Sequence, residues 1–132
     1  MALTSAALTF ALSFTQPAAA NYRNLDARQC DGWGWNFQLF YNRNLTGASA
    51  AFGYDEENFG VPDTNLGPYR FCSDGNGSGA VVKNAAASAR NRTQHNATVY
   101  YNSWFHGKSD VVETQENLDS TFNNNASFQF TD

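Results

Sequence analysis

The chain has 132 residues, a formal net charge of −4, and charged and aromatic residues at 15% each. That is one domain's worth of chain, low in charge density and rich in rings, which suits a compact β domain. The acidic balance argues against a nucleic-acid footprint, because Lys83, Arg90 and Arg92 form the only loose basic cluster and no stacking aromatics are interleaved with them.

Residues 1–20, MALTSAALTFALSFTQPAAA, are uncharged, end in small residues and turn abruptly polar at Asn21. This reads as a secretory signal peptide cut after Ala20, too short and too rich in Ser and Thr for a membrane span. No later segment is apolar enough to cross a bilayer, so a secreted, monomeric protein without membrane contact is expected. Residues 21–29 form a polar arm, and residues 30–132 the folded domain. Cys30 and Cys72 are the only cysteines. In an exported chain an even number most often pairs, so one disulfide is expected, contributing roughly 4 kcal/mol on a chain-entropy estimate.

In DGWGWNFQLFY, Trp35, Phe37 and Leu39 alternate with Asn36, Gln38 and Phe40, the pattern of a strand. Asn42 to Gly47 makes a bend, and Ser49 and Ala51 alternate with Ala50 and Phe52 on the return. Asp55 to Gly79 is irregular, with Gly60, Pro62, Gly67, Pro68 and the run SDGNGSG, and has room for one short strand at Tyr69 to Cys72. Asp55, Glu56 and Glu57 read as a solvated acidic face. Val81-Val82 approaches another strand. NAAASARN at Asn84 to Asn91 has helix-forming alanines, yet shares Asn, three residues and Ser with NNNASFQF near the C-terminus, so both are read as loops entering a final strand.

Between them Val99 to Val112, VYYNSWFHGKSDVV, repeats Leu39 to Phe52, LFYNRNLTGASAAF. Phe40 falls on Tyr100, Tyr41 on Tyr101, Asn42 on Asn102, Leu45 on Phe105, Gly47 on Gly107 and Ser49 on Ser109, a constant offset of 60 residues. Each copy predicts a folded hairpin. The first ring (Phe40, Tyr100) lies across the apolar bend residue (Leu45, Phe105), and Gly supplies a positive φ.

An aromatic, four residues, an aromatic, one residue and Gly is the Greek-key signature of the βγ-crystallin superfamily. Tyr100, Phe105 and Gly107 meet it, as do Phe40, Leu45 and Gly47 with Leu in the second aromatic place. The later Asn/Asp and Ser element is met in part by Asn84 with Ser88 and by Asn123 with Ser127. FQLFYNRNLTG also resembles the opening of the small secreted actinobacterial domains of peptidase inhibitor family I36, with Gln38 where a second Cys is usual. The resemblance covers Cys30 to the C-terminus. It implies an all-β fold of two Greek-key units packed as a βγ-crystallin-like antiparallel β-sandwich, with a core of Phe37, Leu39, Phe52, Val82, Val99, Val111, Phe122 and Phe128.

It implies three readings of function. The first is non-covalent inhibition of an extracellular protease. The irregular segment Asp55 to Gly79 is the only stretch long enough to enter a cleft, and Tyr69 and Phe71 are its candidate apolar anchors. The second is a non-inhibitory binding or structural module. The third is calcium binding through Asn84 and Ser88, or Asn123, Asn124 and Ser127. Ca²⁺ needs six to eight oxygens, whereas Ala85 and Asn124 replace the acidic ligand and Ala89 and Phe128 the final Ser, so such a site is weak, no resident cofactor is expected, and the serines are read as hydrogen-bonding across the hairpins. An enzyme is not expected. His95 and His106 are the only histidines, both in bends, and no catalytic constellation stands at a usable spacing. Five Asn-x-Ser/Thr sequons, beginning at Asn44, Asn76, Asn91, Asn96 and Asn125, are read as accidents of an Asn-rich chain.

Overall fold

The computed structural model describes residues 36–61, 67–72 and 75–132; the expected signal peptide, the arm, Cys30 and Trp35 lie outside them. The described residues hold seven strands and no helix: β1 (Phe37–Asn42), β2 (Thr46–Phe52), β3 (Ser88–Asn91), β4 (Asn96–Asn102), β5 (His106–Val112), β6 (Gln115–Asn117) and β7 (Ser127–Thr131). Two antiparallel sheets result, ordered β2-β1-β3-β6 and β5-β4-β7. Residues 84–91 are thus loop and strand despite their alanines, because β3 is held on both sides, by β1 and by β6.

The sheets exchange segments. Strand β6 follows the second hairpin along the chain but pairs with β3 of the first sheet, while Glu56, which follows the first hairpin, bridges to Phe128 of the second. Each Greek-key unit therefore completes the other's sheet.

The repeat survives as register. In β1 and β2, Phe37 faces Phe52 and Phe40 faces Ser49, with an irregularity before Asn42 meets Thr46. In β4 and β5, Ala97 faces Val112 and Tyr100 faces Ser109, with the same irregularity before Asn102 meets His106. Both bends place two consecutive non-glycine residues in the left-handed region, Asn44 and Leu45 (φ 59 and 57) and Trp104 and Phe105 (φ 61 and 61). That conformation costs about 1–2 kcal/mol per residue unless side chains or docking hold it. Gly47 and Gly107 follow with φ 82 and 87, where a Cβ would stand 2.7 Å from the Asn42 or Asn102 side-chain nitrogen. The Tyr100 ring lies 5.9 Å from that of Phe105.

Between the sheets, Phe128 stacks on Phe37 at 4.5 Å and lies 5.7 Å from Phe52 and 6.1 Å from Phe59. Two expected core positions differ. Val111 is 51% exposed and Val112 takes the buried place opposite Ala97, because a residue's neighbour on a strand faces the other side of the sheet. Phe122 is half-buried at the rim, under the Arg43 guanidinium 4.4 Å from its ring centre, and Leu118 fills the core instead. The Asp110 carboxylate pins the turn after β6, accepting from the backbone N–H groups of Asp119, Ser120 and Thr121 and from the Thr121 hydroxyl at 2.7–3.2 Å.

Candidate functional site

The two serines of the repeated element clamp the bends. Ser88 Oγ donates to the Asn42 carbonyl at 2.6 Å and accepts from the Leu45 N–H at 2.9 Å. Ser127 does the same with Asn102 at 2.7 Å and Phe105 at 3.1 Å. The exchanged segments complete each clamp: Asn117 Oδ1 accepts from the Asn44 N–H at 2.7 Å, and the Glu57 carbonyl from the Trp104 N–H at 2.8 Å. Asn84 and Asn123, both at positive φ, join the units by reciprocal bonds, Asn84 N–H to Asn125 O and Asn123 N–H to Ala86 O.

These elements leave two shallow concavities where the resemblance implies calcium. One is lined by Tyr41, Asn42, Arg43, Asn84, Ala85, Ala87, Phe122 and Asn123, the other by Lys83, Asn84, Tyr101, Asn102, Ser103, Asn124 and Ala126. The donor set does not fit Ca²⁺. No carboxylate lines either, and no cluster of three His, Cys, Asp or Glu exists among the described residues. Each already holds a cation of the chain's own: Arg43 lies over Phe122, and Lys83 Nζ lies 3.3 Å from Asn58 Oδ1 and 3.5 Å from Ser103 Oγ. The hydroxyls of Ser88 and Ser127 are committed to the hairpins. Calcium binding asks for several hard, preferably anionic oxygens and is weakened further by a neighbouring positive charge.

The two repeated elements are not equally spaced. From bend to bend the offset is 60 residues, as from Gly47 to Gly107, but from serine to serine it is 39, as from Ser88 to Ser127. The first unit therefore carries 21 residues (60 less 39) that the second lacks, and they fall between Glu57 and Asn84. This insertion folds back on the first hairpin. Arg70 bridges to Val81 in place of the expected strand at 69–72, with Phe71 N–H bonded to Ala80 O, Gly79 N–H to Phe71 O and Val82 N–H to Tyr69 O. Its apex docks on β2: Cys72 N–H donates to Ser49 O at 3.0 Å, and Ala48 N–H to Asn76 O at 2.9 Å.

Tyr69 and Phe71 do not face solvent. Each is 2% exposed, so neither can anchor a peptidase, and the sequence-based assignment of these rings is corrected. The Tyr69 ring meets Phe52 edge-on at 5.1 Å and its hydroxyl donates to Glu56 Oε2 at 2.7 Å; Phe71 meets Tyr41 edge-on at 5.7 Å. Glu56 is accordingly buried, at 6% exposure, and does not belong to a solvated face. Among its described residues the insertion exposes Val61, Gly67 and Arg70, whose Nη1 donates to Gly79 O at 2.9 Å, together with Gly75, Asn76, Ser78 and Gly79. Gly77 cannot be enlarged: a Cβ there would lie 2.1 Å from the Tyr41 ring.

His95 is exposed and lies 3.1 Å from the Asp132 carboxylate; His106 opens β5 and is exposed. Cys72 is buried and is not a free thiol. Of the sequon asparagines, Asn91 and Asn125 are buried, with side chains bonded to backbone carbonyls of His95 and Val112, and of Ala86 and Thr121.

Comparison with solved structures agrees with this architecture. The N-terminal domain of protein S superposes with a TM-score of 0.53 at 18% identity, covering 73% of this chain and 94% of that one. A βγ-crystallin domain from Flavobacterium johnsoniae gives 0.52 at 18%, covering 72% and 92%. A structure described under the evolution of the eye lens βγ-crystallin domain fold gives 0.50 at 12%, covering 73% and 84%. At these identities the likeness is one of fold, and the fold is that of the βγ-crystallin domains. No curated protein matches the chain. The model of peptidase inhibitor family I36 matches residues 35–112, which takes in both hairpins and the insertion between them, and the chain belongs to that family.

Proposed function

We propose that the protein is a secreted, monomeric, non-catalytic inhibitor that occupies the cleft of an extracellular peptidase without covalent bonding. The insertion supplies the contact, through Arg70 and the apex at residues 75–79. The observation that carries this reading is the double anchoring of an exposed apex, to the edge of β2 by backbone bonds and to the core by Tyr69 and Phe71. A loop ordered before binding forfeits little entropy on entering a cleft. Pairing of Cys72 with Cys30 belongs to the same proposal and would tie the arm to this loop; an intact mass equal to that of the fully reduced chain would exclude it.

The test is inhibition of a panel of extracellular serine and metallopeptidases. Arg70→Glu combined with Ser78→Glu is expected to weaken inhibition at least tenfold, about 1.4 kcal/mol, with the melting temperature nearly unchanged because both side chains are exposed. Full inhibition by that variant would place the contact elsewhere. If the wild type inhibits no member of the panel, the protein is a non-inhibitory binding or structural module.

The same proposal makes the protein independent of calcium. Stabilisation by a ligand follows RT ln(1 + [L]/Kd), so a millimolar site contributes only tenths of a kcal/mol or less at about 0.1 mM Ca²⁺. The melting temperature is expected to be the same in calcium and in chelator, and a rise of several degrees at that concentration would refute it.

A further inference from the structure

The two hairpins are copies in backbone and differ in what covers them. On the first, two residues of the insertion bond to the outer edge of β2, Asn76 O accepting from the Ala48 N–H and Cys72 N–H donating to the Ser49 carbonyl, while Phe71 packs edge-on against Tyr41. Sixty residues later the same positions are Lys108, Ser109 and Tyr101, and the second unit has no insertion to cover them. Strand β5 is the edge of its sheet. Among the described residues, neither the Lys108 N–H nor the Ser109 carbonyl has a backbone partner outside the sheet. Trp104 at the bend is 62% exposed, Val111 51% and Tyr101 36%.

An open edge beside exposed rings is the geometry by which a sheet takes up an extended segment: backbone bonds supply affinity and flanking side chains supply selection. On the first hairpin the corresponding groups are bonded by two loop residues, Cys72 and Asn76, and a ring packs edge-on against the tyrosine. Charge sets the second requirement. In a chain of net charge −4, both lysines border the open tip. Lys108 Nζ lies 5.0 Å over the Tyr101 ring, Lys83 Nζ lies 3.5 Å from Ser103 Oγ, and His106 is exposed beside them. A cationic rim on an acidic protein favours an acidic partner and disfavours a second copy of the same chain.

We propose that the edge of β5, with Trp104 as anchor and Tyr101, Lys83 and Lys108 as rim, takes an extended acidic segment of a partner protein by strand addition. The surface lies on the hairpin that the inhibitory insertion leaves bare, so its failure and the failure of the inhibitor reading are separable.

The probe is a short capped peptide alternating Glu and Val around a central Tyr, titrated into the isotope-labelled mature protein and followed by amide and indole NMR shifts. Saturable shifts confined to Lys108–Val112 and the Trp104 indole are expected, as is at least tenfold weaker binding when Lys replaces Glu in the peptide. Trp104→Ala and Lys108→Glu, both at exposed positions, are each expected to weaken binding by about tenfold while leaving the remaining amide shifts in place. Four results would overturn the proposal: no saturable shift up to about 5 mM peptide, equal binding of the lysine peptide, shifts centred away from β5, or concentration-dependent shifts of the β5 amides without peptide. The last would make a second copy the occupant.

Discussion

Replacing Phe128 with alanine is expected to lower the unfolding free energy by about 3–5 kcal/mol, a large part of the 5–15 kcal/mol typical of a domain. The ring is fully buried, stacks on Phe37 and is packed by Phe52 and Phe59, so its removal leaves a cavity bounded by both sheets and by the insertion's first residues. Its backbone exchanges two bonds with Glu56, at 2.9 and 3.0 Å, which limits how far the site can collapse around the void. Urea unfolding measures the effect as a lower midpoint at unchanged m. Val111→Ala, at a half-exposed position on the same sheet, is expected to change stability by no more than about 0.5 kcal/mol. Comparable losses at the two sites would contradict the placement of the rings.

Phe71→Ala is expected to weaken inhibition and stability together. Phe71 is 2% exposed and holds Tyr41 edge-on, and its own N–H and carbonyl close the insertion through Ala80 and Gly79. Truncating a buried ring of this size costs about 3–5 kcal/mol. Because the ring anchors only the insertion, much of the loss is expected as local opening, seen as faster proteolytic nicking at residues 75–79 before global unfolding. If the apex makes the proposed contact, one freed in this way is ordered again on binding, so inhibition is expected to fall by more than tenfold. Phe71→Leu, which keeps most of the apolar volume, should retain both properties in large part. Loss of inhibition with the loop still resistant to nicking would make Phe71 a direct contact, against its burial.

The hairpins were legible in the sequence because everything they need is local: ring, bend and glycine lie within eight residues, and the offset of 60 repeats them. The serine clamps span 22–46 residues and were legible only because the Asn and Ser element recurs and resembles that of a known superfamily. Tyr69 and Phe71 were not, because Gly and Pro interrupt their segment and it has no alternation. Burial there is decided by docking on β2 rather than by local pattern. The signal that could have found them is arithmetic: the offset falls from 60 to 39 across the repeat, which marks an insertion, and a ring-bearing insertion in a small domain must cover something. Exchanging Val111 for Val112 is a parity error, since a one-residue slip moves a side chain to the opposite face. The cations in the two concavities could not be read at all. Arg43 meets Phe122, and Lys83 meets Asn58 and Ser103, only after the units have packed.

The exchange of segments also governs the order in which the molecule can be made. A chain that has emerged as far as Arg92 holds β1, β2 and β3, but lacks β6, which closes the first sheet, and Phe128, which fills its inner face. The first unit therefore cannot finish ahead of the second, and the long-range pairings that close both sheets form last, when nearly the whole chain is free. A polypeptide with this wiring can complete neither sheet until residues 115–131 have been made, so its folding follows its synthesis rather than keeping pace with it.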